Sequence, residues 1–226
     1  GARVNAADQF TFRVSATSSG TTLASGTTSG TSNGPFSATP LSLASGIGLT
    51  LSEAMTPGSV STLASYQSRL TCTNTTTSST TPLPTNVQTT NFNFGALQFG
   101  DAIICIFNNA AFPHIRISKA LGAGGRRFNT DQFTVRINQA STVVASATTA
   151  GTGTTVTGGN TGLVQVTPGT AYTLDEIMSG PGSLTQYTSA LACTNATSGV
   201  TRTFPTTVPG TITPGLGDIS RCVLTK

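Results

Sequence analysis

Glu53 and Glu176 are the residues of this chain most exposed to chemical consequence, because of what surrounds them. In Gly48 to Met55 the residues alternate, so Leu49, Leu51 and Glu53 fall on one side of a strand. On a strand with one buried face, that side is the inside. A carboxylate held among leucines is costly unless it is paired or protonated. Four cysteines, Cys72, Cys105, Cys193 and Cys222, form the second reactive set. A metal site would need Cys-x-x-Cys pairs or added histidines, and His114 is the sole histidine. No metal and no cofactor is therefore expected. The cysteines are either two disulfides, Cys72 with Cys105 and Cys193 with Cys222, or four buried thiols. Their even distribution favours the disulfides, and with them an oxidising space: periplasm, cell surface or medium.

Catalytic patterns are missing. His114 stands without a recognisable Ser or Cys nucleophile, and no Gly-x-Ser-x-Gly or phosphate loop occurs. Seven acidic residues leave little for paired hydrolytic carboxylates. The chain is expected not to be an enzyme. Asp101 and Asp218 each follow a glycine before the last strand of a half, where a turn role outweighs calcium binding. Asn74-Thr75-Thr76 and Asn195-Ala196-Thr197 fit the glycosylation pattern, but their repetition suggests a shared turn.

The elements that place these residues come in duplicate. Leu49 to Asn74 and Tyr172 to Asn195 share an order: alternation, glutamate, methionine, a Pro-Gly turn, tyrosine, then Leu-x-Cys-Thr-Asn. Glu53 matches Glu176, Met55 matches Met178, Tyr66 matches Tyr187 and Cys72 matches Cys193. Asp8-Gln9-Phe10 matches Asp131-Gln132-Phe133, and Gly100-Asp101 with Cys105 matches Gly217-Asp218 with Cys222. The offset, about 120 residues, is far beyond a stacked solenoid unit and suits a small domain. Two tandem domains follow, 1–110 and 111–226. Strands are expected at Gln9–Val14, Gly48–Met55, Tyr66–Thr73 and Asp101–Asn108. A further one, His114–Leu121, sets Ile115, Ile117 and Lys119 on one face. No stretch sustains a helical period, so the fold class is all-β, two β-sandwiches.

Composition narrows the partners. Charged residues are 8% of the 226, and the net charge of +4 comes from scattered arginines rather than a basic stripe. Nucleic acid is excluded on that ground. No apolar run approaches the length that spans a bilayer. The chain opens inside a strand pattern, which suggests processing or a piece of something longer.

The duplicated Glu/Pro-Gly/Tyr stretch resembles the E-box region of prealbumin-like, SpaA/CnaB-type surface domains. The paired cysteines, the Asp-Gln-Phe opening and the Gly-Asp ending resemble the form found in large surface proteins of Gram-negative bacteria. The resemblance covers both repeats. It implies an Ig-like, prealbumin-like sandwich used as a structural brick in adhesins and pili. It also implies an isopeptide bond in many members: a first-strand lysine attacks a last-strand asparagine, and a glutamate between them promotes the step. Lys119 matches that lysine, Glu53 and Glu176 the glutamate, and Asn109 or its neighbour Asn108 the asparagine. Domain one has no lysine before Asp8, and domain two has Thr225 and Lys226 where the asparagine belongs. Neither half holds the full set.

Alignment of the repeats sets Gly1 against Gly124, so Ile115 to Leu121 has no counterpart in domain one. A sandwich short of one strand exposes an edge and a groove. Either the missing strand lies upstream in a longer precursor, or another chain supplies it. The functional expectation is a structural repeat of a secreted bacterial surface fibre, pilus-like filament or adhesin stalk, on the extracellular cell surface. Its partners would be neighbouring copies or adjacent repeats, with strands shared between subunits. The alternative is an adhesin tip binding host glycan or protein through the loops Gly20–Ser37 and Gly151–Gly162.

Overall fold

The computed structural model describes residues 3–197 and 200–226. Two units divide the chain, Gly1–Ala111 and Phe112–Lys226. The division falls one residue later than the repeat pattern suggests, because the last strand of the first unit runs on through Ala111.

The first unit contains β1 (Phe10–Ala16), β2 (Thr22–Thr27), β3 (Gly48–Met55), β4 (Tyr66–Asn74), β5 (Val87–Gln88), β6 (Asn91–Ala96) and β7 (Ile103–Ala111). One sheet has the order β2-β1-β3-β6 and the other β5-β4-β7. Alternation drives the layering. In β3, Leu49, Leu51 and Glu53 are buried while their neighbours are half-exposed or exposed. In β4, Tyr66, Ser68, Leu70 and Cys72 do the same. The inner faces bring Leu51 onto Leu70 and Cys72, and Phe10 onto Tyr66 edge to face at 4.9 Å. A short 3-10 turn, Leu63–Ser65, leads into β4.

The second unit contains β8 (His114–Ala120), β9 (Gln132–Gln139), β10 (Thr142–Ala150), β11 (Thr157–Gly158), β12 (Val164–Gln165), β13 (Tyr172–Ser179), β14 (Ala190–Asn195), β15 (Gly210–Ile212) and β16 (Ile219–Thr225). Its sheets run β11-β10-β9-β13-β15 and β12-β8-β16-β14. The core is one continuous cluster, with Ile115, Ile117, Val135, Ile137, Leu174 and Leu224 fully enclosed.

The two units differ at one place above all. In the second, β8 lies parallel to β16, Ile117 opposite Cys222 and Lys119 opposite Leu224. In the first, β7 pairs only with β4, and among the described residues no strand lies against its other side. The effect shows in burial. Cys222 and Leu224 are fully enclosed, whereas their counterparts Cys105 and Phe107 are half-exposed.

Candidate functional site

In the second unit β8 carries Lys119 inward and β13 carries Glu176 to meet it. Their charged atoms are 2.8 Å apart and both side chains are sealed from solvent. The C-terminal residue Lys226, just beyond β16, brings its own ammonium to 3.1 Å from the other carboxylate oxygen. Lys226 also donates to the Ser189 hydroxyl. The Lys119 contact is an ion pair by distance, with angles outside those of a hydrogen bond. The Lys119 ammonium also stands 4.6 Å from the centre of the Phe133 ring. Burial, helped by the Lys226 charge, lowers the Lys119 amine to about 8 against the pull of Glu176. One carboxylate thus serves two buried amines.

In the first unit β3 carries Glu53 to the matching place. Asn109 on β7 donates its amide N–H to Glu53 Oε1 at 2.6 Å, and the Ser68 hydroxyl donates to the Asn109 carbonyl. The two pockets correspond residue by residue: Ser68 to Ser189 through the tyrosine and cysteine match, and Asn109 to Lys226, each four beyond its cysteine. No lysine stands beside Glu53, and Glu53 Oε2 is buried without a hydrogen-bond partner. Burial raises the Glu53 carboxyl above the ordinary range, although the bond from Asn109 and the nearby Ser68 hydroxyl lower it. Asn108 points its side chain to solvent. Of the two neighbouring asparagines, only Asn109 reaches the pocket.

The cysteines bridge within each unit, Cys72 to Cys105 and Cys193 to Cys222, with Cα atoms 4.1 and 4.0 Å apart. Each pair lies directly opposite in an antiparallel ladder. So close a spacing belongs to non-hydrogen-bonded pairs, whose backbone groups point away from each other. The Cys72 N–H accordingly turns outward to the Pro84 carbonyl. By the same geometry the N–H and C=O groups of Cys105 and Phe107 point out of the open side of β7.

A second polar device, unassigned by sequence reasoning, recurs in both units. Asp8 is fully buried and accepts from Val60 N, Ser61 N and the Tyr66 hydroxyl at 3.1, 2.8 and 2.5 Å. Asp131 accepts from Gly182 N at 3.0 Å and the Tyr187 hydroxyl at 2.6 Å. Burial alone would raise both carboxyls, but these hydrogen bonds hold them below the ordinary value. The approach is tight enough that a Cβ on Gly180 would come within 2.8 Å of Asp131 Oδ1. The repeated Asp-Gln-Phe was the available signal. Asn74 and Asn195, in the two sequons, use their side chains to brace turns: each donates to the aspartate before the last strand and accepts from a backbone N–H two residues on. His114 donates its Nδ1–H to the Phe112 carbonyl at 3.1 Å, and burial lowers its imidazole.

Two disulfide-bridged sandwiches, each with a buried glutamate held by asparagine or lysine side chains, define a tandem of prealbumin-like domains. The family model described as the prealbumin-like fold domain matches residues 1–111 and again 114–226. The chain belongs to that family. Among solved structures it is similar to two Streptococcus pyogenes major pilins. One is 14% identical over 96% of this chain and 89% of the pilin, with a TM-score of 0.32. The other is 12% identical over 96% and 88%, with a TM-score of 0.30. A Mobiluncus mulieris adhesin with intramolecular disulfide, isopeptide and ester cross-links is 12% identical over 99% and 86%, with a TM-score of 0.30. The search of curated proteins finds no match.

Proposed function

We propose that this chain is a structural segment of a bacterial surface fibre, a pilus-like filament or an adhesin stalk, whose units join by sharing strands. The observation that carries the reading is the open side of β7. The second unit holds β8 at the equivalent position, and the first holds nothing there among the described residues. An edge with outward-facing N–H and C=O groups is a template for another strand. The rest of the chain suits load-bearing. Each unit is closed by a disulfide between facing strands, which fits an oxidising extracellular setting. No helix among the described residues is long and apolar enough to cross a membrane.

The glutamate pockets carry parts of an isopeptide-forming set: Glu53 with Asn109 in one, Lys119 with Glu176 in the other. In the second pocket Lys226 occupies the place of the amide. Lys119 therefore has no side-chain carbonyl carbon to attack there, and the pocket works as an ionic clamp. The tip-type role is less favoured. Phe36 is the aromatic residue of the two long loops, and the Arg3 guanidinium covers it at 5.9 Å from the ring centre.

Amide hydrogen exchange tests strand sharing. In assembled fibres the Cys105 and Phe107 amides should exchange far more slowly than in the free chain. Equal exchange in both states would refute it.

A further inference from the structure

The second unit carries a charge pattern on its outside that neither its fold nor strand sharing uses. We infer that the outer face of the β12-β8-β16-β14 sheet binds an acidic glycan, with Arg116 and Arg221 holding one carboxylate or sulfate group between them. The inference is independent of strand sharing.

Ile115 and Ile117 turn into the core, so Arg116 between them turns out. On the adjoining parallel strand Cys222 turns in and Arg221 turns out, directly opposite Arg116. Adjacent strands lie about 4.8 Å apart, so the two cationic side chains rise side by side. Like charges directly opposite each other are destabilising. No ion pair among the described residues relieves either one. Their neighbours on this face are His114 and Ser118 on β8, Ile219 and Val223 on β16, and Thr194 opposite Arg221 on β14. None is acidic. Arg116 Nε is buried without a hydrogen-bond partner. The sandwich does not require the arrangement: in the first unit Ile104 stands where Arg221 stands, one residue before the bridging cysteine. Unpaired guanidinium groups side by side match the geometry of an oxyanion.

A second copy of the chain has no free side-chain carboxylate to offer. Of the seven acidic residues, Asp175 pairs with Arg136, Asp218 with Arg202, and Asp101 is held in its turn by Asn74 and Thr81. Asp8, Glu53, Asp131 and Glu176 are buried. An acidic peptide docks on a sheet by pairing backbone with backbone, and β8 and β16 are already paired on both sides. Nucleic acid calls for a longer basic stripe with aromatic residues. A glycan fits what remains. Its acid group meets the arginines, its hydroxyls meet Ser118 and Thr194, and its C–H faces meet Ile219 and Val223. A polymer also repeats the acid group, which offsets the weakness of a single solvent-exposed charge contact.

Titration of the full chain with polygalacturonate, dextran sulfate and neutral dextran tests the assignment, read by calorimetry and by the Arg116 Nε–H resonance. Expected is binding of polygalacturonate or dextran sulfate with a shift of that resonance, and no binding of dextran. Arg116→Gln and Arg221→Gln should each weaken binding at least about tenfold. Arg13→Gln removes the same charge from an exposed position of the first unit and should weaken it less than about twofold. Thr194→Glu keeps both arginines but sets a carboxylate opposite Arg221, and should also weaken binding at least about tenfold. Binding of neither acidic polymer overturns the proposal, as does an equal loss in Arg13→Gln or undiminished binding by Thr194→Glu. Poly-glutamate bound as tightly as the better glycan overturns the glycan as occupant and puts an acidic peptide in its place.

Discussion

Replacing Lys119 by methionine probes the second pocket most sharply. The pocket buries two ammonium groups against one carboxylate. Burial lowers the Lys119 amine from 10.5 to about 8, with Glu176 opposing and Lys226 adding to the fall. At roughly 1.4 kcal/mol per pKa unit, that lowering costs the folded domain about 3 kcal/mol at neutral pH. The direction with pH follows from counting protons. Between about 8 and 10.5 the unfolded chain keeps the lysine proton and the folded domain has released it. The unfolded state then binds more protons, so stability rises with pH across that window. Below it the whole cost stands, and above it the cost is gone. Methionine keeps the length, removes the charge and leaves Glu176 with Lys226 alone. It forfeits the cation over Phe133 but keeps a sulfur–aromatic contact. The Lys119→Met domain should be about 3 kcal/mol more stable at pH 7, the cost that the lowered amine carries, since Glu176 keeps Lys226 as its partner. It should also lose the rise between about 8 and 10.5. Native-state hydrogen exchange at the Ile117, Val135 and Leu174 amides reads the opening free energy of this unit alone. Burial raises the Tyr187 hydroxyl, which opposes the trend at high pH, but it does so equally in both proteins. A variant several kcal/mol less stable at pH 7, or an unchanged pH profile, would refute the reasoning.

Other outcomes follow from the same structure. Burial raises the Glu53 carboxyl, so the folded unit keeps a proton that the unfolded chain has lost. That contribution is full below the ordinary value and is lost as pH rises through the folded one. Glu53→Gln should therefore raise the first unit's melting temperature at pH 7 and leave it unchanged at pH 4, by calorimetry. Tyr66→Phe and Tyr187→Phe strip a hydrogen bond from a buried carboxylate, and each should cost about 1–3 kcal/mol by urea unfolding. Reduction of the disulfides, which close loops of 33 and 29 residues, should cost each unit about 3–4 kcal/mol. Thermal unfolding with and without reductant measures it.

Much of this was legible in the sequence where alternation met duplication. The inward faces of Glu53 and Lys119 follow from period two alone, and β3 has the bounds that the pattern predicts. The prealbumin-like fold followed from four ordered matches, which the family model bears out over both repeats. Short pairings were not legible. β5, β11 and β12 have two residues each, too few to show a period. The role of Lys226 was hidden for another reason. It lies beyond the last alternating residue, and its inward turn shows only through its fixed distance from Cys222. The Asp8–Tyr66 bond joins residues 58 apart, and no local pattern reports a contact at that range. The choice between Asn108 and Asn109 needed the register of β7 against β4, where Asn109 faces Ser68.

The most direct test of strand sharing is amide hydrogen exchange of assembled fibres compared with the free chain, read at Cys105 and Phe107 on the open side of β7. The enclosed Ile117 and Leu174 amides of the second unit serve as the internal control. The account predicts strong slowing of the Cys105 and Phe107 amides in the fibre, with the control amides unchanged. Equal exchange of Cys105 and Phe107 in the fibre and in the free chain would contradict it.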